Sequence, residues 1–397
     1  MSADPSRMTT LFASPGREQR VVAFIKLSYK LPQYGPMRRA KRDLPLTLES
    51  VSQGPDEHFP VACTLRETDL WESKPWTDVV VSGHVRSPGE RPVHTMHAGV
   101  CVGRRQKWVR VFGDRRVHRV AGQLHFTEPE PFTAIELSWR RAYGGIELSL
   151  PHEPLADMLD LFRLFAPEHH PGAYPRNPAG RGWVIHDCPG TLDGMPLPNF
   201  ESASRVLEPS RLIIGDPRLW TRAPIPAGFG WWRQAWFPRS TLLGVPPPEF
   251  TDAPEGLPEV RTGWLAAEQV RSPQADPRFQ SGASPGLRFA SLGLGERIEL
   301  HGFSPAGAIE TSLPEAKPEV LICFERRSLE VDLHLSTVEL LPDLGLANLV
   351  WVARAQPPVR LPKAMPRPGQ LVYELLAGVE VFVDGERVDN ETVSLSE

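Results

Sequence analysis

Apolar and polar residues alternate with a period of two through much of this chain, the signature of half-buried β-strands. Val21, Ala23, Ile25, Leu27, Tyr29 and Leu31 fall on one face of a run whose other face carries Lys26, Ser28 and Lys30. Met96, Ala98, Val100 and Val102 repeat the pattern, and Ile135, Leu137 and Trp139 alternate with Glu136, Ser138 and Arg140. Leu329, Val331, Leu333 and Leu335 alternate with Glu330, Asp332, His334 and Ser336, which predicts a single strand. Its phase slips near Thr337, where Val338 and Leu340 take over the apolar set, so a bulge or turn is expected there. Leu349, Trp351 and Ala353 supply the next strand, and Val379, Val381 and Val383 run into Asp384-Gly385, a hairpin-turn signal. Helical spacing is rare. Leu155, Met158, Leu159, Phe162 and Phe165 make one apolar stripe behind Pro154, which suits a helix start. The pattern predicts a mainly β fold of packed antiparallel, sandwich-like sheets, with one or two short helices and long loops rich in Pro, Gly and Trp.

Along the chain these signals divide into four stretches: a regular β-rich region over residues 1–150, a loop-rich middle over 151–285, a return to strands over 286–355, and a proline-rich connector with a small hairpin over 356–397. The middle holds the least ordinary sequence. Between Arg211 and Arg239 lie Trp220, Trp231, Trp232 and Trp236, four of the chain's 11 tryptophans, broken by proline and glycine so often that only short strands or irregular backbone fit. Pro178-Ala179-Gly180-Arg181-Gly182-Trp183 and Pro226-Ala227-Gly228-Phe229-Gly230-Trp231 share the pattern PAGxGW. Glycines at the third and fifth places permit a positive φ or a close backbone approach, and the indole pins the loop. Tryptophan and arginine dominate interface hot spots, so Trp220, Phe229, Trp231, Trp232, Arg233, Trp236, Arg239, Arg181 and Trp183 are candidate partner-binding residues. The alternative is a local core plug, in which the indoles fill the space a helix would otherwise occupy. Adjacent Trp231 and Trp232 point to opposite sides of an extended segment, so one is expected inward and the other toward a partner, and the two PAGxGW loops are expected to lie near one another.

Composition narrows the function classes. The 397 residues are enough for a substantial core. The 43 prolines, spread along the whole length, point to many short elements joined by rigid turns. A formal net charge of -4, with mixed signs and no long basic block, argues against nucleic acid as a partner. No run of about 20 apolar residues predicts a membrane span, and MSADPSRMTTLFASPGREQR lacks the apolar core of a signal peptide, so a cytoplasmic location is expected. Cys63, Cys101, Cys188 and Cys323 are far apart and form no CxxC pair, which fits buried thiols in a reducing compartment better than zinc or redox motifs. His169-His170, with His152 and His186 near in sequence, could ligate a metal, but PEHHPG reads as an exposed loop and no catalytic metal is expected. There is no GxSxG elbow, phosphate-binding loop or HExxH. No catalytic residue or cofactor is predicted.

Read together, the unusual segments resemble a family. Asp69-Leu70 with Lys74-Pro75-Trp76-Thr77-Asp78-Val79-Val80 is similar to its opening motif, and Val111-Phe112-Gly113-Asp114-Arg115 to the next. Arg141-Ala142-Tyr143-Gly144-Gly145, the segment from Tyr174 through Asn177, Pro178, Gly180 and Gly182, and Leu197-Pro198-Asn199-Phe200-Glu201 follow in order. Pro226 to Gly230, with Gly228, and then Trp236, Pro238 and Arg239 complete the set. These marks resemble the domain of unknown function 2169 family over about residues 20 to 355. Departures are Ser336-Thr337 in place of an Asp-Thr pair, Trp351-Val352 in place of Trp-Arg, and no tryptophan after Pro238-Arg239 until Trp264. The resemblance implies a non-enzymatic adaptor or chaperone for bacterial type VI secretion. Its partners would be an effector protein with a PAAR-like domain and the VgrG spike, and the motif glycines, Asp78, Asp114, Arg115, Arg141, Tyr143 and Asn177 would be structural. A β-rich hydrolase or carbohydrate-binding protein, with the Trp-rich loops as a substrate platform, is the competing reading.

Overall fold

A computed structural model describes residues 6–12, 20–56, 59–147, 172–187, 192–242, 276–324, 327–356 and 378–388. The stripe at 155–165, His152, His169-His170, Cys188 and the proline-rich connector from Pro357 lie outside the described residues. Strand outweighs helix by 44% to 9%, as the alternation predicts, and every helical segment among the described residues is a short 3-10 turn.

Two large sheets carry the core. The first has seven strands, with Arg20–Lys30 and Leu346–Ala355 paired antiparallel along ten positions at its centre. Leu333–Leu341 follows, then Thr77–Val81 and Arg288–Phe289. The second has six strands, built on Thr95–Val102 between Arg105–Phe112 and Arg297–His301. Ala98, Val100, Val109, Val111, Ile298 and Leu300 from the second sheet join Ala23, Ile25, Leu27, Val79, Val81, Val338 and Leu349 from the first in one apolar cluster. Pairing is mainly antiparallel, as expected, and two parallel pairs make the large sheets mixed. Leu333–Leu341 runs parallel to Thr77–Val81, and Tyr34–Pro36 runs parallel to Ile309–Ser312.

The central strand of the first sheet departs from a simple in-and-out reading. Lys26 and Ser28, on its polar face, are as buried as the apolar set. A second layer covers them. The Lys26 ammonium pairs with Asp69 at 2.5 Å and donates to the Pro45 carbonyl, while Thr47 N donates to the same Asp69 carboxylate at 2.7 Å. Ser28 Oγ donates to Asn348 Oδ1 and accepts from Leu44 N. Buried charge survives here because each polar atom is matched.

The phase slip at Thr337 is a bulge, with the register shifting between Leu335 and Thr337. The segment from Leu329 to Leu335 is not one strand, however. Arg327–Glu330 belongs to a separate four-stranded sheet, and the chain enters the first sheet only at Leu333. Alternation alone does not register a change of partner sheet. The late hairpin is as expected: Gly378–Val383 pairs with Glu386–Arg387 across Asp384 and Gly385, both at positive φ.

Side chains of the KPWTD segment brace the bulge. Lys74 Nζ donates to Thr337 Oγ1 at 2.8 Å and pairs with Asp78 at 2.7 Å, and Thr77 Oγ1 donates to the Leu335 carbonyl. Asp78 Oδ2 also accepts from Gly282 N. Both ionic groups are fully enclosed. Removing one partner of a buried pair strands the other, a cost of about 3–5 kcal/mol. Asp78→Ala is expected to lower the urea-unfolding free energy by about that much, whereas Lys317→Ala, at an exposed pair with Asp332, is expected to leave it nearly unchanged.

Candidate functional site

Trp139 is where the unusual loops converge. It opens a 3-10 turn, Trp139–Arg141, capped by Ser138, which accepts from Arg140 N. Its backbone carbonyl accepts from Asn177 Nδ2 at 2.8 Å, which ties in the first PAGxGW loop. Its indole N–H donates to the Trp231 carbonyl at 2.7 Å, which ties in the second. Gly228 lies against the Trp139 ring, and a Cβ there would come within 3.0 Å of it. The two loops are therefore neighbours through a shared residue, as expected. Ser284 Oγ closes the second loop by donating to the Gly228 carbonyl. Lys107 Nζ donates to Ser284 Oγ and to the Pro285 carbonyl, 2.8 Å each. Burial, with Arg288 adding repulsion, pushes this ammonium down to about 7, the usual response of a lysine without a carboxylate partner.

The tryptophans fill core. Trp231 is 3% exposed, Trp232 1% and Trp236 0%, and Trp220, Trp183, Phe229 and Arg239 are equally enclosed. This corrects the expectation that one of Trp231 and Trp232 faces outward. Trp231 bridges antiparallel to Ala283, and both sides of this short pairing are covered: Lys74 lies over the Trp231 ring, while Trp232 packs on Trp139 and Trp236. Trp139, Trp232 and Trp236 pack edge-to-face, with centroids 4.9, 6.2 and 6.1 Å apart. Trp183 and Trp220 belong to a second cluster with Tyr143, Tyr174 and Phe237. The core plug is the arrangement the molecule adopts.

The remaining motif residues are joints of the same frame. Arg239 forms a two-pronged pair with Glu67 and also donates to the Trp232 and Phe279 carbonyls. Arg115 pairs with Glu201, whose other oxygen accepts from Leu207 N; burial still pushes this carboxyl upward against the pull of Arg115. Asn177 Nδ2 also donates to the Tyr143 carbonyl, and Tyr143-Gly144 runs parallel to Arg181-Gly182. Gly144, at φ +151°, sits where a Cβ would collide with the Asn177 carbonyl, and a Cβ on Gly113 would strike the Glu130 carbonyl. Asn199 Nδ2 donates to Asp114 Oδ1 and to the Phe112 carbonyl, and Arg141 lies 3.6 Å from Asp114. Arg181 Nε donates to the Arg140 carbonyl, and Arg233 to the Ala62 carbonyl. Gly180 and Gly182 allow close approach to Ala142 and Pro198, whereas a Cβ on Gly230 would make an ordinary contact with Trp139; Pro178 and Pro238, the latter after a cis peptide, lie close by in sequence.

Beside this frame lies an open groove that the sequence did not mark. It encloses about 360 Å³ between the hairpin Val51–Gln53/Cys63–Arg66 and the end of the Thr77–Val81 strand, with Trp139, Phe229 and Trp231 in its floor. Val51 on its wall is 49% exposed and Leu65 42%, and Leu48, 48% exposed, precedes the hairpin. Arg66, Ser82, His84, Glu136 and Ser138 add polar groups. Cys63 also lines the groove, but burial raises its thiol pKa, so it is not a poised nucleophile. His84 Nδ1 lies 2.7 Å from Asp343 Oδ2, and Arg86 Nε donates to the other oxygen. Neither Ser82 nor Ser138 is hydrogen-bonded to His84, so no nucleophile–base pair is assembled there. Period-two reading could have found Val51 and Leu65 as exposed apolar strand residues; nothing in the spacing foretold His84 beside Asp343, 259 positions apart.

Replacing the anchor tests the frame. Trp139→Phe keeps an aromatic ring but removes one of the two fused rings and the donor to the Trp231 carbonyl, leaving a buried acceptor unmatched. Unfolding free energy should fall by about 1–3 kcal/mol, and amide exchange should quicken in both PAGxGW loops while the Arg20–Lys30 strand keeps its protection.

Among the described residues no helix is long and apolar enough to cross a membrane. A family model described as "Uncharacterized protein conserved in bacteria (DUF2169)" matches residues 16–352. No curated protein matches the chain, and no solved structure does. The matched span runs from before the central strand of the first sheet to near the end of its partner, and takes in every motif described above. The chain belongs to the DUF2169 family.

Proposed function

We propose that this chain is a non-enzymatic adaptor. It binds a type VI secretion effector carrying a PAAR-like domain in the bacterial cytoplasm and assists its loading onto the VgrG spike. The observation that carries this reading is the groove: exposed aliphatic side chains at Leu48, Val51 and Leu65 beside a cleft whose floor is locked by buried indoles. An apolar centre with a polar rim, here Arg66, His84 and Glu136, is the anatomy of a protein-binding patch. A floor already fixed by Trp139 loses little freedom on binding, so more of the contact energy appears as affinity. The hairpin also presents strand backbone beside those side chains, which suits an extended segment of the partner.

The hydrolase or carbohydrate-binding reading draws less support. Its sugar-stacking indoles would be Trp183, Trp220, Trp231, Trp232 and Trp236, all of which are buried. Its acid–base pair would be His84 with Asp343, which lacks a hydrogen-bonded hydroxyl or thiol.

Capture of the effector encoded with this chain tests the adaptor. Val51→Glu and Leu65→Glu place a charge on exposed positions and should leave the melting temperature unchanged. Each should weaken effector capture on the order of tenfold or more, as loss of an apolar anchor does. Undiminished capture by both variants would remove the groove from the interface. Failure of the wild-type chain to retain the effector would remove the adaptor reading itself.

A further inference from the structure

The second sheet turns one face to the core and the other outward, and the outward face gathers three side chains of metal-ligating type from two strands distant in sequence. Cys101 stands on the Thr95–Val102 strand directly opposite Glu299 on Arg297–His301, and His301 is the next residue of that strand on the same side. Their donor atoms, one sulfur, one carboxylate oxygen and one imidazole nitrogen, all lie within 4.8 Å of one another. His301 Nε2 is 3.2 Å from Glu299 Oε2. Each residue is partly exposed, so an ion has access.

The surroundings fix these donors. Gly99 faces His301 in one register and Trp108 in the other. Because Gly99 has no side chain, the Trp108 ring lies over it, where a Cβ would come within 2.4 Å. From there the indole stacks on the His301 ring at 5.1 Å, and its N–H is held by Gln106 Oε1 at 2.9 Å. Arg297 holds Glu299 Oε1 at 3.0 Å, leaving Oε2 as the oxygen on the His301 side. Such outer contacts orient ligands and narrow the geometry they can adopt.

We propose that Cys101, Glu299 and His301 form a Zn²⁺ site on the outer face of the six-stranded sheet, with solvent as the fourth ligand. A thiolate beside an imidazole selects a borderline-soft ion over magnesium or calcium. A tetrahedron built from Zn–S of about 2.3 Å and Zn–N or Zn–O of about 2.0–2.1 Å has ligand atoms roughly 3.3–3.6 Å apart. The three donors reach that spacing by small side-chain rotations on strands whose backbones are already paired. Binding releases the thiol proton, and the ion's two positive charges are balanced by the thiolate and the carboxylate, so the liganded site carries no net charge. The site stands apart from the groove and does not rest on the adaptor reading.

Titration of the full-length, metal-free chain with Co²⁺ is the test. The expected result is a thiolate-to-cobalt charge-transfer band with tetrahedral d–d bands, saturating at one equivalent and reversed by Zn²⁺. Cys101→Ser should abolish the charge-transfer band, and His301→Ala and Glu299→Gln should each weaken binding by about tenfold or more. All three positions are partly exposed, so melting of the metal-free variants should match wild type, and Zn²⁺ should raise the melting temperature of wild type alone. Absence of a stoichiometric band in the wild-type chain, or an equal band in Cys101→Ser, would overturn the assignment. Should Cys101→Ser fold poorly, unchanged Co²⁺ affinity in both His301→Ala and Glu299→Gln would overturn it just as well.

Discussion

The indole of Trp139 makes the contact on which the rest of the middle region depends. Its N–H holds Trp231, its carbonyl holds Asn177, and its ring packs against Trp232, Trp236 and Gly228. Two irregular loops with little regular hydrogen bonding of their own are thereby fixed to one point beside the sheets. An irregular backbone can be buried only if its polar groups find partners, and this residue and its neighbours supply them. Tryptophan suits the position because one flat side chain both fills volume and offers a directed donor.

Around that point the frame is held by enclosed charge. Glu67 with Arg239, Lys74 with Asp78, Lys26 with Asp69 and Arg115 with Glu201 are all buried pairs. Each joins segments far apart in sequence or braces an irregular turn, and each has further hydrogen bonds to backbone. A buried pair adds little net stability over an apolar substitute, but a wrong register would leave a charge unmatched at high cost. The motif glycines act in the same sense. At Gly113 and Gly144 another carbonyl occupies the space a side chain would need. The family's marks in this chain are thus chiefly the joints of a scaffold, and the open groove lies beside them.

Much of the fold was legible because strand patterning reports burial directly. The paired central strands, the bulge near Thr337 and the Asp384-Gly385 turn all follow from alternation and turn chemistry. What alternation missed has physical reasons. Lys26 and Ser28 look solvent-facing until a second layer brings Asp69 over them. Strand direction in Thr77–Val81 is set by connections, not by residue type. The sequence leaves the tryptophan stretch open as either plug or surface, because indoles serve both and only tertiary packing decides. The groove and the Cys101, Glu299 and His301 cluster escaped because each is assembled from strands distant in sequence, where spacing carries no information.

The proposed adaptor role requires the Trp-rich loops to be a rigid floor and the partner to meet the hairpin beside them. Hydrogen–deuterium exchange of the chain alone and in complex with its effector separates these roles most directly. New protection is predicted at residues 48–53, 63–66 and 82–84, while 226–232 should be well protected in both states and change little. Slow exchange gained across 226–232 on binding, with none at the hairpin, would contradict it.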